Sequence, residues 1–172
     1  MNVFKKLIIF VFVLFLAFAV SAQEDRKEKL ADQIAEFNAS IKSSPDDAEL
    51  YIKRAEVGYD LNAVFYSQKV SSYKLMDVMT DVNKAIELKP DKASYYNIRA
   101  NYKKLIFKDL EGAAKDMGKA IELEPTNPQW YLNRTNYVNI LAACKDWETC
   151  SELGDSRCTA MYQQICEQRF VK

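Results

Sequence analysis

The sequence predicts an all-helical protein built from a repeated pair of helices. Turn-forming residues are scarce, with 4 Gly and 4 Pro among 172 residues, whereas sheets and irregular folds need many of them. Several segments place apolar residues three and four apart and end at Pro or Gly, which is the pattern of a helix and its stop signal. These segments also recur, because Pro45, Pro90 and Pro125 are spaced by 45 and 35 residues.

The N-terminal residues predict export. Lys5 and Lys6 precede an apolar run of 14 residues, 7–20, and the small residue Ala22 follows. This is the layout of a secretory signal peptide with cleavage after Ala22, which leaves a mature domain of residues 23–172. The alternative is an uncleaved membrane anchor, but the run is shorter than the roughly 20 residues that a span requires.

The internal repeat is visible in two short motifs. The first begins with an aromatic residue and has a small residue four positions later, and the second is an amphipathic stretch that ends at Pro or Gly. The first motif occurs at 51–55 (YIKRA), 96–100 (YNIRA) and 131–135 (YLNRT). The second occurs at 81–90 (DVNKAIELKP), 116–125 (DMGKAIELEP) and 146–154 (DWETCSELG), with a weaker copy at 37–45.

Together these motifs resemble the tetratricopeptide repeat over roughly Ala31 to Leu153. That family repeats about every 34 residues as a helix-turn-helix unit. The resemblance implies an all-α solenoid of about three repeats, at 46–90, 91–125 and 126–154. It also implies an N-terminal helix near 24–42 that replaces half a repeat, and a capping helix at 156–170, because the end of a solenoid must be shielded from water.

The repeats depart from the family spacing in two places. Repeat one carries an insertion of about ten residues around Tyr66 to Lys74, between its two helices. Repeat three is shortened, and no Gly or Pro lies between Pro128 and Gly154. The residues alone leave a helical hairpin and one long helix both open there, and the resemblance implies the hairpin.

Charged residues recur in register with the repeats. An Arg stands at the same place in each first helix and an Asp at the same place in each second helix: Arg54, Arg99 and Arg134, and Asp81, Asp116 and Asp146. One interpretation is a row of ligand contacts. The favoured interpretation is an Arg–Asp pair that ties the two helices of each unit, since pairing requires that both partners recur.

The four cysteines lie close together near the C-terminus and predict disulfides in an exported chain. A chain reversal near Gly154 would pair Cys150 with Cys158 and Cys144 with Cys166 as nested bridges between antiparallel helices. Sequence alone permits other pairings, free thiols or a zinc site. Zinc is disfavoured because the close Cys-x-x-Cys pairs of zinc motifs are absent.

Composition excludes several classes of function. The chain has no His, which removes the commonest general base and metal ligand. No phosphate-binding loop or nucleophile elbow is present, so we expect no enzyme activity, no cofactor and no metal. Without Lys5 and Lys6 the chain has 22 basic and 24 acidic residues and no basic stripe, which argues against nucleic acid as a partner.

The resemblance implies a groove lined by the first helix of each repeat, which in that family binds a peptide or a helix of a partner protein. The positions that correspond to this groove are Ile52, Glu56, Tyr59, Asn97, Asn101, Lys104, Leu132, Asn136 and Asn139. Four of the nine are Asn, whose carboxamides both donate and accept hydrogen bonds and can grip a peptide backbone. A merely solvated polar face is the alternative.

The sequence therefore predicts a non-catalytic adaptor of the cell envelope or secreted space that binds a protein or peptide in this groove. After signal cleavage no stable membrane span is expected. The alternative is a structural subunit of a larger envelope complex, held by its convex face or its ends.

Overall fold

The computed structural model describes residues 3–64 and 73–167, which form helices and no strand. The α-helices are α1 (Val3–Ser43), α2 (Ala48–Val64), α3 (Leu75–Leu88), α4 (Ala93–Tyr102), α5 (Leu110–Leu123), α6 (Pro128–Arg134), α7 (Ile140–Glu152) and α8 (Ser156–Met161). Two π-helical turns, π1 (Lys103–Phe107) and π2 (Tyr162–Glu167), follow α4 and α8. Within the described part of the chain, no helix combines the length and the apolar character that crossing a membrane requires. The prediction of an all-α fold is confirmed.

Helix α1 is longer than the sequence predicted. It runs without a break from Val3 to Ser43, whereas we expected a helix near 24–42. The apolar run and the following polar segment contain neither Gly nor Pro, so nothing interrupts the backbone hydrogen bonds between them. Leu30, Ile34 and Ile41 pack into the core, and this half of α1 therefore takes the place of the second helix of a repeat.

The remaining helices pair as the repeats predicted. Helix α2 packs on α3, α4 on α5 and α6 on α7. Repeat three is thus a helical hairpin, which answers the question that the sequence left open. In each first helix the Tyr hydroxyl donates a hydrogen bond to the Pro carbonyl six residues earlier: Tyr51 to Pro45 at 2.9 Å, Tyr96 to Pro90 at 2.8 Å and Tyr131 to Pro125 at 3.1 Å.

The turn π1 coincides with the extra length of repeat two. That repeat, 91–125, has 35 residues, one more than the family spacing of about 34. A π-helical turn holds one more residue than an α-helical turn, so it absorbs the extra residue before the chain reverses. The reversal ends at Lys108, whose φ of 59° is left-handed.

The core of repeats one and two is continuous and uses small residues where helices approach each other. Ala55 and Ala85 are fully buried in repeat one, as are Ala100 and Ala120 in repeat two. Because these side chains occupy little space, the paired helices approach closely while larger residues such as Met117 fill the remaining volume. This cluster extends from Ile34 on α1 to Tyr137 after α6.

A second, smaller cluster holds repeat three and the C-terminal helix together. It consists of Ala143, Trp147 and the four cysteines. Trp147 is 7% exposed and takes the place of Met117, as predicted for a core residue. The described part of the cap ends at Glu167 in π2, so residues 168–170 of the predicted capping helix lie outside the described residues.

The inserted segment of repeat one contributes a residue to the core. Residues 65–72 of this segment lie outside the described residues, but Tyr73 returns to pack over Gly58 on α2. A Cβ atom at Gly58 would lie 2.0 Å from Cε1 of the Tyr73 ring. Glycine is therefore the residue that leaves room for this ring.

Candidate binding surface

The first helices of the three repeats lie side by side and are joined by polar contacts. The Tyr95 hydroxyl of α4 donates to Glu49 of α2 at 2.9 Å. On the next helix, Asn133 donates its amide to the Asn97 side-chain oxygen at 2.8 Å. These bonds run from one repeat to the next and hold α2, α4 and α6 as one surface, which we call the groove.

The predicted groove residues differ in how far they are accessible. Glu56, Asn101, Asn136 and Asn139 are exposed, Tyr59, Asn97, Lys104 and Leu132 are half-buried, and Ile52 is buried. Ile52 is 3% exposed and belongs to the core, so it is not available to a ligand. An apolar side chain at this position gains more by packing against neighbouring helices than by facing water. The expectation for Ile52 is therefore corrected.

Two of the four predicted asparagines have structural roles. The Asn139 side chain accepts a hydrogen bond from the Ala142 amide at 3.0 Å and is the N-cap of α7. The Asn97 carboxamide is half-buried in its bond with Asn133. These roles were missed because a groove position says nothing about a neighbouring helix terminus, although Asn before an apolar stretch is an N-cap signal.

Asn101 and Asn136 retain hydrogen-bonding capacity at the surface. Asn101 accepts from the Tyr137 hydroxyl through its side-chain oxygen, and this bond leaves the amide donors unused. Asn136 donates to the Asn133 carbonyl at 3.1 Å, and this bond leaves its oxygen unused. A carboxamide has two donors and two acceptor sites, so both side chains can bind a further polar group.

Aromatic rings and a carboxylate lie on the same first helices and the turns that follow them. The Tyr59 and Tyr102 rings lie 5.0 Å apart between α2 and α4, and the Lys104 ammonium lies 5.5 Å from the centre of the Tyr137 ring. Desolvation raises the pKa of Glu56, and the nearby charges of Glu49 and Asp60 raise it further. The groove thus combines amide, aromatic and acidic groups.

The recurrent Arg and Asp residues form the predicted ties between helices. In repeat one, Arg54 donates to both carboxylate oxygens of Asp81, with the Nε and Nη2 atoms at 2.7 and 2.6 Å. The same bidentate pairs join Arg99 to Asp116 and Arg134 to Asp146. Each Asp is buried, so these carboxylates are structural partners rather than ligand contacts.

The three ties are not identical. Arg54 also donates to Asn38 of α1 and Arg99 to Asn83 of α3, whereas Gly118 occupies the corresponding place on α5. Asp81 receives a further hydrogen bond from the Tyr73 hydroxyl, and the Lys103 ammonium lies 2.8 Å from Asp116. Burial, followed by the bond to Asp81, raises the pKa of Tyr73 well above its usual range.

The cysteines form two disulfides, Cys144–Cys166 and Cys150–Cys158. This is the nested pairing that a reversal at Gly154 predicts, and Gly154 takes up the reversal with a φ of 92°. Asp155 lies near Cys150 and Cys158 in a grouping that resembles a metal site. Because the sulfurs of these two residues are bonded to each other, they are not the thiolates that zinc requires.

Solved structures with this arrangement of helices place the chain among helical repeat solenoids. Two crystal structures of MamA superpose with TM-scores of 0.59 and 0.61, each at 16% identity over 84% of this chain, and over 78% and 83% of the respective solved chain. The Arabidopsis OM64 TPR domain matches with a TM-score of 0.45, at 20% identity over 68% of this chain and 98% of that chain. No protein-family model and no curated protein matches the sequence.

MamA is a protein with tetratricopeptide repeats. Its superposition agrees with the repeat spacing, the recurring Tyr–Pro bonds and the paired helices described above. The chain therefore has the tetratricopeptide-repeat fold.

Proposed function

We propose that this protein is an exported, non-catalytic adaptor that binds a segment of a partner protein along its groove. The observation that carries this proposal is the pair of exposed carboxamides at Asn101 and Asn136. They lie on neighbouring repeats, and each retains hydrogen-bonding groups after its internal bond is counted.

The unused hydrogen-bonding groups of Asn101 and Asn136 are of the kinds that a peptide backbone requires. A peptide backbone offers a carbonyl and an amide at every residue, so a donor on one repeat and an acceptor on the next can hold it without reading its side chains. The half-buried ring of Tyr59 and the exposed carboxylate of Glu56 lie on repeat one. These groups would select the side chains of the bound segment.

Two further features support export. The N-terminal basic residues, apolar run and Ala22 have the layout of a cleavable signal peptide. The two disulfides are of the kind that persists in an oxidising compartment such as the periplasm or the extracellular space. On this proposal residues 1–22 are removed, and residues 23–172 form the mature adaptor.

Affinity capture from envelope extracts tests the groove, with the exported protein as bait. The informative variant is Asn101→Asp combined with Asn136→Ala. The Asp side chain still accepts the Tyr137 hydrogen bond but no longer donates. Ala at position 136 removes the unused oxygen together with the bond to the Asn133 carbonyl. The matched control removes two exposed amides outside the groove, by changing Gln163 and Gln164 on π2 to Ala.

A partner that binds the parent and the control at least tenfold more tightly than the groove variant supports the proposal. Circular dichroism of all three proteins excludes unfolding as the cause. If the three baits retain the same partner equally, the groove is not the binding surface. The convex face or the ends would then carry the interaction, as in a structural subunit.

A further inference from the structure

Two carboxylates on α2, in the first repeat of the groove, are exposed and unpaired. Neither Glu56 nor Asp60 has a side-chain hydrogen bond or an ion pair among the described residues. They are four residues apart and share one face of the helix, where like charges destabilise it. Desolvation and the nearby carboxylates raise the pKa of Glu56 more than Lys53, three residues earlier, lowers it. The charge on this part of the groove is therefore negative.

The Tyr102 hydroxyl on α4 lies near these carboxylates and is also without a partner. The Tyr102 ring packs at 5.0 Å on the ring of Tyr59, which shares the face of α2 that carries Glu56 and Asp60. Tyr102 is 7% exposed, and within the described part of the chain its hydroxyl forms no hydrogen bond. Burial raises the pKa of Tyr102 well above its usual range, and the charges of both carboxylates raise it further.

The Tyr102 hydroxyl is nevertheless open to solvent. Among the described residues, Trp147 has the one fully buried polar side-chain atom that lacks a hydrogen bond. Since the Tyr102 hydroxyl also lacks a hydrogen bond and is not such an atom, it reaches the surface. A ligand in the groove can therefore contact it.

The next interface along the solenoid, between repeats two and three, holds the same tyrosine with a cation over it. Tyr137 follows Tyr102 by 35 residues, which is the length of repeat two. Its hydroxyl donates a hydrogen bond to Asn101, and the Lys104 ammonium lies 5.5 Å from the centre of its ring. At this interface the chain itself supplies a hydrogen-bond acceptor and a cation to the tyrosine.

The corresponding groups between repeats one and two differ in charge. Glu56 and Tyr59 stand 45 residues before Asn101 and Lys104, which is the length of repeat one. A carboxylate thus takes the place of the amide, an aromatic ring takes the place of the cation, and Asp60 adds a second negative charge. This interface has the groups that attract a cation but lacks the cation that the next interface contains.

A positively charged side chain fits these groups. Carboxylates form charge-assisted hydrogen bonds with an ammonium or a guanidinium group, and a tyrosine ring attracts a cation within about 6 Å of its centre. A phenolic oxygen with unused lone pairs can accept a further hydrogen bond. Calcium is a poorer fit, because it takes about six to eight oxygen ligands.

We propose that Glu56, Tyr59, Asp60 and Tyr102 form an acidic site that binds a lysine or arginine side chain of the segment held in the groove. This inference rests on the proposed function and specifies its partner as a segment with a basic residue. Backbone carbonyls and amides repeat at every residue, so hydrogen bonds to them do not define the register of a bound segment. One charged anchor at the acidic site would define it.

Two synthetic pentapeptides test the acidic site. One is capped Gly-Ser-Arg-Ser-Gly, and the other carries citrulline, which has nearly the shape of arginine but no charge. Titration of the exported protein, labelled with nitrogen-15 and followed by NMR, gives the affinity for each peptide and the amides that shift. We expect the arginine peptide to bind about five- to tenfold more tightly. Its shifts should include 56–60 and Tyr102 as well as Asn101 and Asn136.

The variant that tests the charges is Glu56→Gln combined with Asp60→Asn, which removes both charges and nearly keeps the side-chain sizes. The matched control is Asp32→Asn with Glu36→Gln, which removes two exposed carboxylates four residues apart on α1, outside the groove. The variant should bind the two peptides equally, and the control should keep the preference for arginine. Tyr102→Phe removes a hydroxyl that has no partner, so it should reduce the preference about threefold without changing the unfolding midpoint.

The outcomes separate the acidic site from the groove proposal. Equal binding of the two peptides by the parent would overturn the acidic site and leave the groove proposal intact. Arginine-dependent shifts confined to 56–60 and Tyr102 would support the acidic site, while the grip by Asn101 and Asn136 would fail. A preference for arginine that survives the loss of both carboxylates would overturn the acidic site alone. Binding of neither peptide would overturn both proposals.

Discussion

Repeats one and two share a continuous hydrophobic core, whereas repeat three and the C-terminal helix pack around four cysteines. The first region has long helices such as α2, with 17 residues, and its Arg–Asp ties have additional partners: Asn38 accepts from Arg54, the Tyr73 hydroxyl donates to Asp81 and Lys103 pairs with Asp116. In the second region α6 has 7 residues, and α8 has 6 before it continues into π2. Short helices bury little apolar surface, and the disulfides provide the stability that packing does not supply there.

The largest effect should come from removing the disulfides. By loop-closure entropy, Cys144–Cys166, with a sequence separation of 22, should contribute about 3.4 kcal/mol, and Cys150–Cys158, with a separation of 8, about 2.5 kcal/mol. We therefore expect Cys144→Ala with Cys166→Ala to destabilise the protein more than the other pair of substitutions. Urea unfolding followed by circular dichroism measures the difference, and equal losses would contradict it.

The next effect compares the ion pairs of the two regions. Asp81→Ala removes the partner of Arg54 and of the Tyr73 hydroxyl, whereas Asp146→Ala removes the partner of Arg134. A buried charge that loses its partner costs about 3 to 5 kcal/mol. We expect the loss of stability to be at the upper end of this range for Asp81→Ala and smaller for Asp146→Ala. Chemical denaturation of both variants tests this order. The reverse order would show that the added Tyr73 bond does not contribute.

Two glycines test the packing within repeats one and two. Gly58→Ala would drive a Cβ into the Tyr73 ring, whereas nothing lies within 4 Å of a Cβ at Gly118 on α5. We expect Gly58→Ala to destabilise the protein by about 1 to 3 kcal/mol. Gly118→Ala should stabilise it by about 0.5 to 1 kcal/mol, because Ala loses less backbone entropy in a helix. Thermal unfolding measures the stability of both variants. If neither substitution changed the stability, the result would contradict the account.

The smallest effect is a pH dependence at the start of α8. The Arg157 side-chain hydrogen bond, with the backbone bonds at this cap, lowers the pKa of Asp155 from 3.8 to about 2. A lowered pKa means that the carboxylate stabilises the folded state above its unfolded pKa, and this contribution is lost as the pH falls toward 2. Asp155→Asn keeps an N-cap side chain but should remove this dependence. Acid titration of the parent and the variant, followed by circular dichroism, tests this pH dependence. Identical curves for the two proteins would contradict the prediction.

Much of the fold could be predicted because the repeats carry their contacts in register. The recurrence of Arg54 with Asp81 predicted a tie that the structure confirms, and the position of Gly154 predicted which cysteines pair. The predicted start of the N-terminal helix, near residue 24, differs from the start of α1 at Val3. A signal peptide pattern indicates processing and does not mark a helix boundary. The turn π1 was missed, since one extra residue does not show how the chain absorbs it.

The candidate site could be predicted only in part. Groove positions come from a repeat pattern, which fixes the face of a helix but not the contacts between adjacent repeats. Ile52 is buried and Asn139 caps a helix because of such local contacts. The sequence did not predict the role of Tyr73. Gly58 stands at the place in repeat one that Lys103 occupies in repeat two, and this small residue was a signal that another side chain fills the space. The exposed positions Asn101 and Asn136 remain the predictions to test.

Hydrogen exchange of the oxidised and the reduced protein tests most directly whether the two regions are stabilised by different means. The account predicts that reduction leaves the amides of α2 to α5 protected, while those from Ile140 to Glu167 exchange rapidly. Repeats one and two would then fold without the cross-links. If reduction instead increased exchange uniformly along the chain, or left the C-terminal region protected, the account would be wrong.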